Sequence, residues 1–304
     1  MEKEKYLKEV LKSQTLSSDG PELTALQQHR ADVEKLLRDH FSESSPTIRY
    51  GGSKAKGTMI HEAYDLDIIS YFPNDDTAAG ETLEDIYNNV RTALSNEYMV
   101  EQKPSALRIK DNSKESLGVD FHIDVVPGRY TDDSKSDVFL YRSSGEKKRL
   151  KTNLDVHLSH VKDSGVTEAI RLMKLWRIRN GLSVTHFALE LLIIKLLKKK
   201  KASSLSEQLE FVWEEMRDNI GNLSIEDPAN PTGNDLSDLL SETIRLSLSH
   251  VATVTLKGIK DNGWETVFGE ITEKEDNKAA RLRVAAAAVV KPTKPWLDYD
   301  EGMV

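Results

Sequence analysis

Apolar positions near the start of the chain follow the spacing of an amphipathic helix. Those that fall close to helical intervals are Leu23, Leu26, Val33, Leu36, Leu37 and Phe41. Pro21 stands where proline is favoured, at the first turn of a helix. The pattern predicts helices over residues 3–13 and 22–41, the second long enough to brace two lobes.

Between residue 47 and about residue 130 the pattern changes to short apolar runs separated by turns, which is typical of strands. The runs that predict strands are Thr47–Tyr50, Tyr64–Phe72, Leu107–Lys110 and Val119–Val126. One helix is predicted over residues 81–97. Residues 131–152 are rich in Asp, Ser and Lys, so we expect a polar surface loop between the two lobes there.

The second half of the chain has mainly helical signals. Helices are predicted over residues 155–163, 166–180, 186–200, 204–220 and 235–260. Strands followed by helices indicate an α+β fold, with a mixed-sheet lobe and a helical C-terminal lobe bridged by the long N-terminal helix. The expected divisions are residues 1–155 for the sheet lobe with the N-terminal helix, 156–290 for the helical lobe and 291–304 for a tail. Trp176 and Trp264 are expected in the core.

Length, charge and composition narrow the class of protein. The chain has 304 residues, enough for a large core, and no cysteine, which fits a reducing cytoplasm. It contains no run of about 18 apolar residues and no apolar signal region at its start, so a cytoplasmic protein without a membrane partner is expected. The net charge of −8 disfavours duplex nucleic acid as a ligand. The basic cluster Lys195–Lys201 is interpreted as a solvated helix end, with a phosphate-binding patch as the alternative.

Two aspartates one residue apart carry the main chemical signal. In a strand, Asp65 and Asp67 project from one face while Leu66 packs on the opposite side. Paired carboxylates suit hard divalent cations such as Mg²⁺, which commonly share their ligands with substrate phosphates. Taken alone, an Asp-x-Asp pair is also compatible with solvated strand-end charges or a helix cap.

Three further residues extend this pair to a predicted two-metal site for phosphoryl transfer. Gly52 and Ser53 follow a predicted strand, where a glycine turn allows backbone N–H groups and the Ser53 hydroxyl to hold a triphosphate. Asp124, in a second apolar run, supplies the third carboxylate needed for a second metal. Asp120 and His122 share the face of Asp124 by the period of two, so Asp120 remains an alternative third ligand.

Two sets of segments resemble a known family. Those similar to polymerase-beta-like nucleotidyltransferases are Gly51–Thr58, Tyr64–Ile68 and His122–Pro127. Those that resemble the oligoadenylate synthetase and cyclic-GMP-AMP synthase-like branch are Ile170–Arg177, Phe187–Leu192 and Asp227–Asn234. The bacterial members of this branch are the CD-NTases, cyclic oligonucleotide synthases of anti-phage signalling. The resemblance covers most of residues 47–270 and implies a two-lobed nucleotidyltransferase fold.

The resemblance also implies roles for individual residues. The implied catalytic residues, which would hold two Mg²⁺ ions or Mn²⁺ in their place, are Asp65, Asp67 and Asp124. The match of Asp124-Val-Val-Pro to the family motif favours Asp124 over Asp120. Lys174 would contact the donor triphosphate, the alternative being a solvent-facing lysine. Ser183 and Thr185 are expected to cap the helix beginning near residue 186, with a phosphate contact as the alternative.

The implied activity is transfer of a nucleotidyl group between nucleoside triphosphates, such as ATP, to close a cyclic di- or trinucleotide messenger with release of pyrophosphate. A regulatory protein partner or an effector from the same operon is implied with it. One alternative keeps the chemistry but makes linear oligonucleotides or modifies RNA, a small molecule or a protein. The other alternative is a catalytically silent nucleotide sensor. Base choice is expected to depend on side chains such as Tyr64, Arg108 and Ser183.

Overall fold

The computed structural model describes residues 2–16, 21–63, 66–110, 123–145 and 147–271. Within these ranges the α-helices are α1 (Glu2–Ser13), α2 (Pro21–His40), α3 (Gly52–Lys56), α4 (Leu83–Ser95), α5 (Leu154–Lys162), α6 (Thr167–Arg179), α7 (His186–Leu196), α8 (Leu205–Asp218), α9 (Glu242–Asn262) and α10 (Glu265–Phe268). The strands are β1 (Thr47–Gly51), β2 (Leu66–Phe72), β3 (Met99–Gln102), β4 (Leu107–Lys110), β5 (Ile123–Tyr130), β6 (Val138–Tyr141) and β7 (Arg149–Thr152). The predicted tail, 291–304, lies outside the described residues.

The described strands form one mixed sheet. Its main order is β1-β2-β5-β4-β3, and β6 extends the sheet from the later part of β5, with β7 beyond it. Strands β2 and β5 are parallel, and the other pairings among the described strands are antiparallel. The predicted α+β class with a mixed sheet is therefore confirmed.

The two faces of the sheet have different partners because side chains alternate along each strand. On one face, Leu66, Ile68 and Phe72 of β2 pack in a core with residues of α2 and α4. On the other face, Ile69 and Tyr71 pack with side chains of β5 and β6. Asp67 belongs to this second face by the same alternation, which turns its carboxylate away from α2 and α4.

A second large core lies among the helices of the second half of the chain. Trp176 and Trp213 are fully buried there, with ring centroids 6.0 Å apart, and Trp264 lies 5.7 Å from Trp213. The prediction that Trp176 and Trp264 are core residues is confirmed. Helix α1 packs into this helical core, whereas α2 packs into the sheet core. The N-terminal segment thus contributes one helix to each core, so the bridging predicted for the long helix is divided between α1 and α2.

The prediction of a polar loop over residues 131–152 is wrong, because this segment contains β6 and β7. Val138 and Leu140 of β6 are buried against the sheet face of Tyr130, while Phe139 and Tyr141 point to the opposite face. This alternation covers only four residues, and the polar residues on both sides of it dominate the composition of the segment.

Strand β5 also runs further than predicted, from Ile123 to Tyr130 instead of ending at Val126. It continues through Pro127, which has no N–H group to donate to a neighbouring strand. Pro127 lies between Val125, the last residue paired with β4, and Gly128, the first paired with β6. The change of neighbour at this point allows a proline inside a strand of the sheet interior.

The turn at Asp227–Asn234 joins the helical part of the chain to the sheet. The buried Asp227 carboxylate accepts hydrogen bonds from the Ala229 N–H group and the Asn234 amide, at 2.8 and 2.6 Å. The same Asn234 amide donates to the Lys151 carbonyl of β7 at 2.9 Å. This contact fastens the turn to β7. Among the described helices, none is long and apolar enough to span a membrane.

We expect Thr255→Val to destabilise the helical core by about 1–3 kcal/mol, because it leaves a buried donor unsatisfied. The Trp176 indole N–H donates to the Thr255 hydroxyl at 2.8 Å. Thr253→Val is the matched control, since the exposed Thr253 hydroxyl on the same helix only donates to the Ser249 carbonyl. Its effect should stay within about 0.5 kcal/mol. Equal losses of unfolding free energy in the two variants, measured by urea denaturation, would contradict a special contribution of the buried hydrogen bond.

Candidate active site

Two aspartates lie side by side at the start of the parallel strands β2 and β5. The strand register places Asp67 directly beside Asp124, with Gly51 of β1 on the other side of Asp67. Arg108 of β4 lies on the other side of Asp124. Paired residues of neighbouring strands project from the same face, so these side chains form one row across the sheet. The predicted convergence of Asp67 with Asp124 is thus present.

The turn after β1 lies against the Asp67 carboxylate. Gly52 has a φ of +73°, in the left-handed region that favours glycine. A Cβ atom added there would lie 2.5 Å from Oδ2 of Asp67. Glycine is therefore required both by the backbone conformation and by the close approach of the turn to the carboxylate.

Ser53 follows in the short helix α3, and its residue is only 6% exposed. The Ser53 carbonyl accepts a hydrogen bond from the Thr58 N–H group at 2.9 Å, which closes the end of the turn. Gly57 ends α3 in the left-handed conformation, with a φ of +73°. The predicted Gly52-Ser53 turn is therefore present beside Asp67, with Ser53 and Thr58 buried and Lys54 and Gly57 exposed.

Arg108 binds the Asp124 carboxylate in a two-point ion pair. The Arg108 Nε and a terminal guanidinium nitrogen each donate to a different Asp124 oxygen, both at 2.7 Å. The side chains are 26% and 17% exposed, so the pair is partly shielded from water. Charge-assisted two-point pairs of this kind are stronger than single contacts. From the sequence, Arg108 was expected only to influence base choice.

Lys174 lies in a buried ionic cluster behind the turn. Its ammonium group is 2.5 Å from Oε1 of Glu190 and donates to the Thr58 hydroxyl at 2.9 Å. Lys56 of α3 donates to Oε2 of Glu190 at 2.8 Å. Since Lys174 is only 1% exposed, the alternative of a solvent-facing lysine is wrong. The cluster fixes the segment after Gly52-Ser53 to α6 and α7.

The charges of this cluster determine the protonation of Glu190. Burial alone would raise the pKa of the Glu190 carboxyl, but the adjacent Lys174 and Lys56 ammonium groups outweigh that effect and lower the pKa to about 2. Within this cluster, two ammonium groups contact one carboxylate. Sequence reasoning missed Glu190, although a glutamate in the otherwise apolar run Phe187–Ile194 was a signal for a buried partner.

Of the two predicted capping residues, Thr185 performs that role. Its side chain accepts a hydrogen bond from the Ala188 N–H group at the start of α7. Ser183 is exposed two residues earlier. The Phe187 ring lies 5.8 Å from the Lys56 ammonium, so the start of α7 is next to α3 and its turn.

Three residues considered for the site lie outside the described part of the chain, namely Tyr64, Asp65 and Asp120, and so does His122. Over the ranges that are described, no group of three or more His, Cys, Asp or Glu side chains gathers into a metal site. The two described carboxylates, Asp67 and Asp124, are hard oxygen donors of the type that Mg²⁺ prefers. The two carboxylates are adjacent, and the glycine at position 52 lets the backbone of the turn come close to Asp67. This arrangement fits a divalent cation with bound phosphate.

The geometry of the fold matches solved structures of bacterial CD-NTases. Bradyrhizobium diazoefficiens CdnG in complex with GTP superposes with a TM-score of 0.68 at 14% identity, covering 95% of this chain and 98% of that one. A chain of the E. coli MS115-1 CdnC:HORMA-deltaN complex gives 0.64 at 20% identity, covering 90% and 98%. Elizabethkingia meningoseptica CdnE, a cyclic dinucleotide synthase solved with GTP and Apcpp, gives 0.61 at 16% identity, covering 86% and 99%.

This chain therefore has the CD-NTase fold, as the sequence resemblance implied. No protein-family model and no curated protein sequence matches the chain. At these low identities the structural likeness establishes the fold, and the chemistry has to be argued from the residues of the site.

We expect Gly52→Ala to destabilise the protein more than Gly57→Ala. Both glycines have a φ of +73°, so each substitution costs roughly 1–2 kcal/mol of backbone strain. Only at Gly52 would the new Cβ contact the Asp67 carboxylate, since nothing lies within 4 Å of the corresponding position at Gly57. The additional loss should be about 1–3 kcal/mol in urea denaturation. Equal losses would contradict the close approach of the turn to Asp67.

Glu190→Gln should remove a pH-dependent contribution to stability. Because the Glu190 pKa is lowered from 4.5 to about 2, its ionised form stabilises the fold above about pH 4.5, and this stabilisation fades as the pH falls towards 2. Wild type should exceed Glu190→Gln in free energy of unfolding by roughly 3 kcal/mol near neutral pH, with a smaller difference in acid. The exposed Glu214→Gln is the control and should differ little from wild type at any pH. A pH-independent difference for Glu190→Gln would contradict the ionic origin.

Proposed function

We propose that this protein is a magnesium-dependent nucleotidyltransferase that joins nucleoside triphosphates into a cyclic di- or trinucleotide with release of pyrophosphate. One observation carries the proposal: Asp67 and Asp124 are direct neighbours on parallel strands, with the Gly52 turn against Asp67, in a chain with the CD-NTase fold. Two adjacent carboxylates next to a glycine turn are suited to bind cations and phosphates together.

The aspartates would act as cation ligands. Asp67 and Asp124, together with Asp65, would hold two Mg²⁺ ions, and Mn²⁺ would serve in their place. When bound, these ions would supply the positive charge that activates the attacking ribose hydroxyl and neutralises the leaving pyrophosphate. The direct register of Asp124 with Asp67 supports Asp124 over Asp120 as the third ligand.

The turn and the cluster behind it would bind the donor triphosphate. The Gly52-Ser53 backbone and the Ser53 hydroxyl would contact the phosphates beside the carboxylates. Lys174 would contribute electrostatically, because the two lysines around Glu190 carry more positive charge than that carboxylate neutralises. Ser183 precedes α7 in the sequence, and the start of α7 is beside Lys56. The Ser183 hydroxyl would therefore reach the same triphosphate. Catalysis is then mainly positioning and electrostatic stabilisation.

The substrates and the biological setting are proposed from the relatives in structure. CdnG was solved with GTP, and the cyclic dinucleotide synthase CdnE with GTP and Apcpp. We infer that ATP, GTP or other ribonucleoside triphosphates are the substrates here, and that the product is a messenger in cytoplasmic anti-phage signalling. CdnC forms a complex with HORMA-deltaN, which supports a regulatory protein partner for this chain too.

Incubation with the four ribonucleoside triphosphates and Mg²⁺ should give a cyclic oligonucleotide in mass spectrometry, and nuclease digestion reads its linkage. Asp67→Asn and Asp124→Asn should each lower the rate by about a thousandfold or more, since several kcal/mol of transition-state stabilisation depend on the cations. Asp75→Asn, at an exposed position after β2, should keep wild-type activity.

Other results would point to a different reaction. Unchanged product formation by Asp67→Asn would contradict the assigned site. A linear product would contradict cyclisation. No oligonucleotide from wild type, even with a candidate regulatory partner added, would contradict the proposed activity.

A further inference from the structure

The row of side chains across the sheet contains one cation beside two carboxylates. Arg108, Asp124 and Asp67 occupy directly paired positions on β4, β5 and β2. Like charges on directly paired positions of neighbouring strands destabilise a sheet. The Arg108 guanidinium offsets this repulsion because it binds both oxygens of Asp124.

The same contact conflicts with the binding of a divalent cation. Mg²⁺ requires ligand oxygens at about 2.0–2.1 Å in near-octahedral geometry. Both Asp124 oxygens already accept hydrogen bonds from Arg108, and a guanidinium so close to the ion would repel it. Each Asp124 oxygen keeps a second lone pair for a metal, so the conflict is one of charge, and the affinity for a cation rises when the Arg108 guanidinium withdraws.

A second carboxylate lies on the far side of Arg108. The register of β3 and β4 places Glu101 directly opposite Arg108, on the same face of the sheet. Glu101 is about half exposed and contacts Lys103 and Lys110, at 2.5 and 3.6 Å. The long Arg108 side chain thus has an acidic neighbour on each flank, and Glu101 can accept the guanidinium once it leaves Asp124.

We infer that Arg108 is an internal counter-ion that competes with the catalytic cation for Asp124 and sets the affinity of the site for divalent metal. In the metal-free protein Arg108 stabilises the row of carboxylates, and cation binding transfers its contact towards Glu101. This inference rests on the proposed function, in which Asp67 and Asp124 hold the cation. Arg108 is a positioning residue in this scheme, acting on the site through Asp124.

The test is a Mn²⁺ titration of the full chain without nucleotide, with free Mn²⁺ followed by electron paramagnetic resonance. Arg108→Met keeps a long side chain but removes the charge, and it should bind Mn²⁺ about tenfold or more tightly than wild type. In EDTA its melting temperature should fall below that of wild type, and Mn²⁺ should raise it by a larger increment. Arg149→Met, at an exposed arginine stacked 4.7 Å from the Phe139 ring on the other sheet face, is the matched control and should leave Mn²⁺ affinity unchanged.

Arg108→Lys provides a second variant, which keeps the charge but loses the two-point contact. Its Mn²⁺ affinity should lie between those of wild type and Arg108→Met. Mn²⁺ affinity in the two Arg108 variants equal to or weaker than that of wild type would overturn the inference.

Mn²⁺ binding by Asp67→Asn distinguishes failure of the Arg108 inference from failure of the proposed function. If Asp67→Asn weakens Mn²⁺ binding while the Arg108 variants do not strengthen it, the metal site stands and only the role of Arg108 is overturned. If Asp67→Asn leaves Mn²⁺ binding unchanged, the metal site of the proposed function is wrong, and the inference is overturned with it.

Discussion

The parallel pairing of β2 and β5 is the constraint on which the rest of the site depends. Its register sets Asp67 against Asp124 at the same edge of the sheet, and a shift of one residue would turn one of them to the opposite face. Hydrophobic alternation holds this register: Ile68 and Val125 are fully buried among residues from α2 and α4. The hydrophobic core on one face of the sheet therefore also holds two carboxylates together on the opposite face of the sheet.

The buried cluster around Glu190 links this sheet edge to the helical half of the protein. Lys56 lies in α3 after the Gly52-Ser53 turn, Lys174 on α6 and Glu190 on α7, so one carboxylate connects three helices. The Asp227–Asn234 turn adds a second link through the Lys151 carbonyl of β7. Together these contacts explain how the helical half can orient the turn towards Asp67.

Sequence reasoning predicted the fold class, the helices and the neighbourhood of Asp67 and Asp124, because alternation, helical spacing and motif order are properties of single segments. It missed β3, β6 and β7, because each strand has only four residues and does not stand out among its polar neighbours. It also missed that Lys174 pairs with Glu190 and Arg108 with Asp124. Each of these pairs joins residues 16 positions apart, and the partners depend on strand register and helix packing. Asp65, Asp120 and the proposed domain limits stay predictions.

The central claim is that Asp67 and Asp124 bind the cations of a nucleotidyl-transfer site. The most direct measurement is anomalous diffraction from crystals soaked with Mn²⁺ and a non-hydrolysable nucleoside triphosphate. The proposed site predicts at least one Mn²⁺ peak within coordinating distance of oxygens from both aspartates, with the triphosphate against the Gly52-Ser53 turn. A well-ordered nucleotide bound elsewhere, with no metal at these two carboxylates, would contradict the claim.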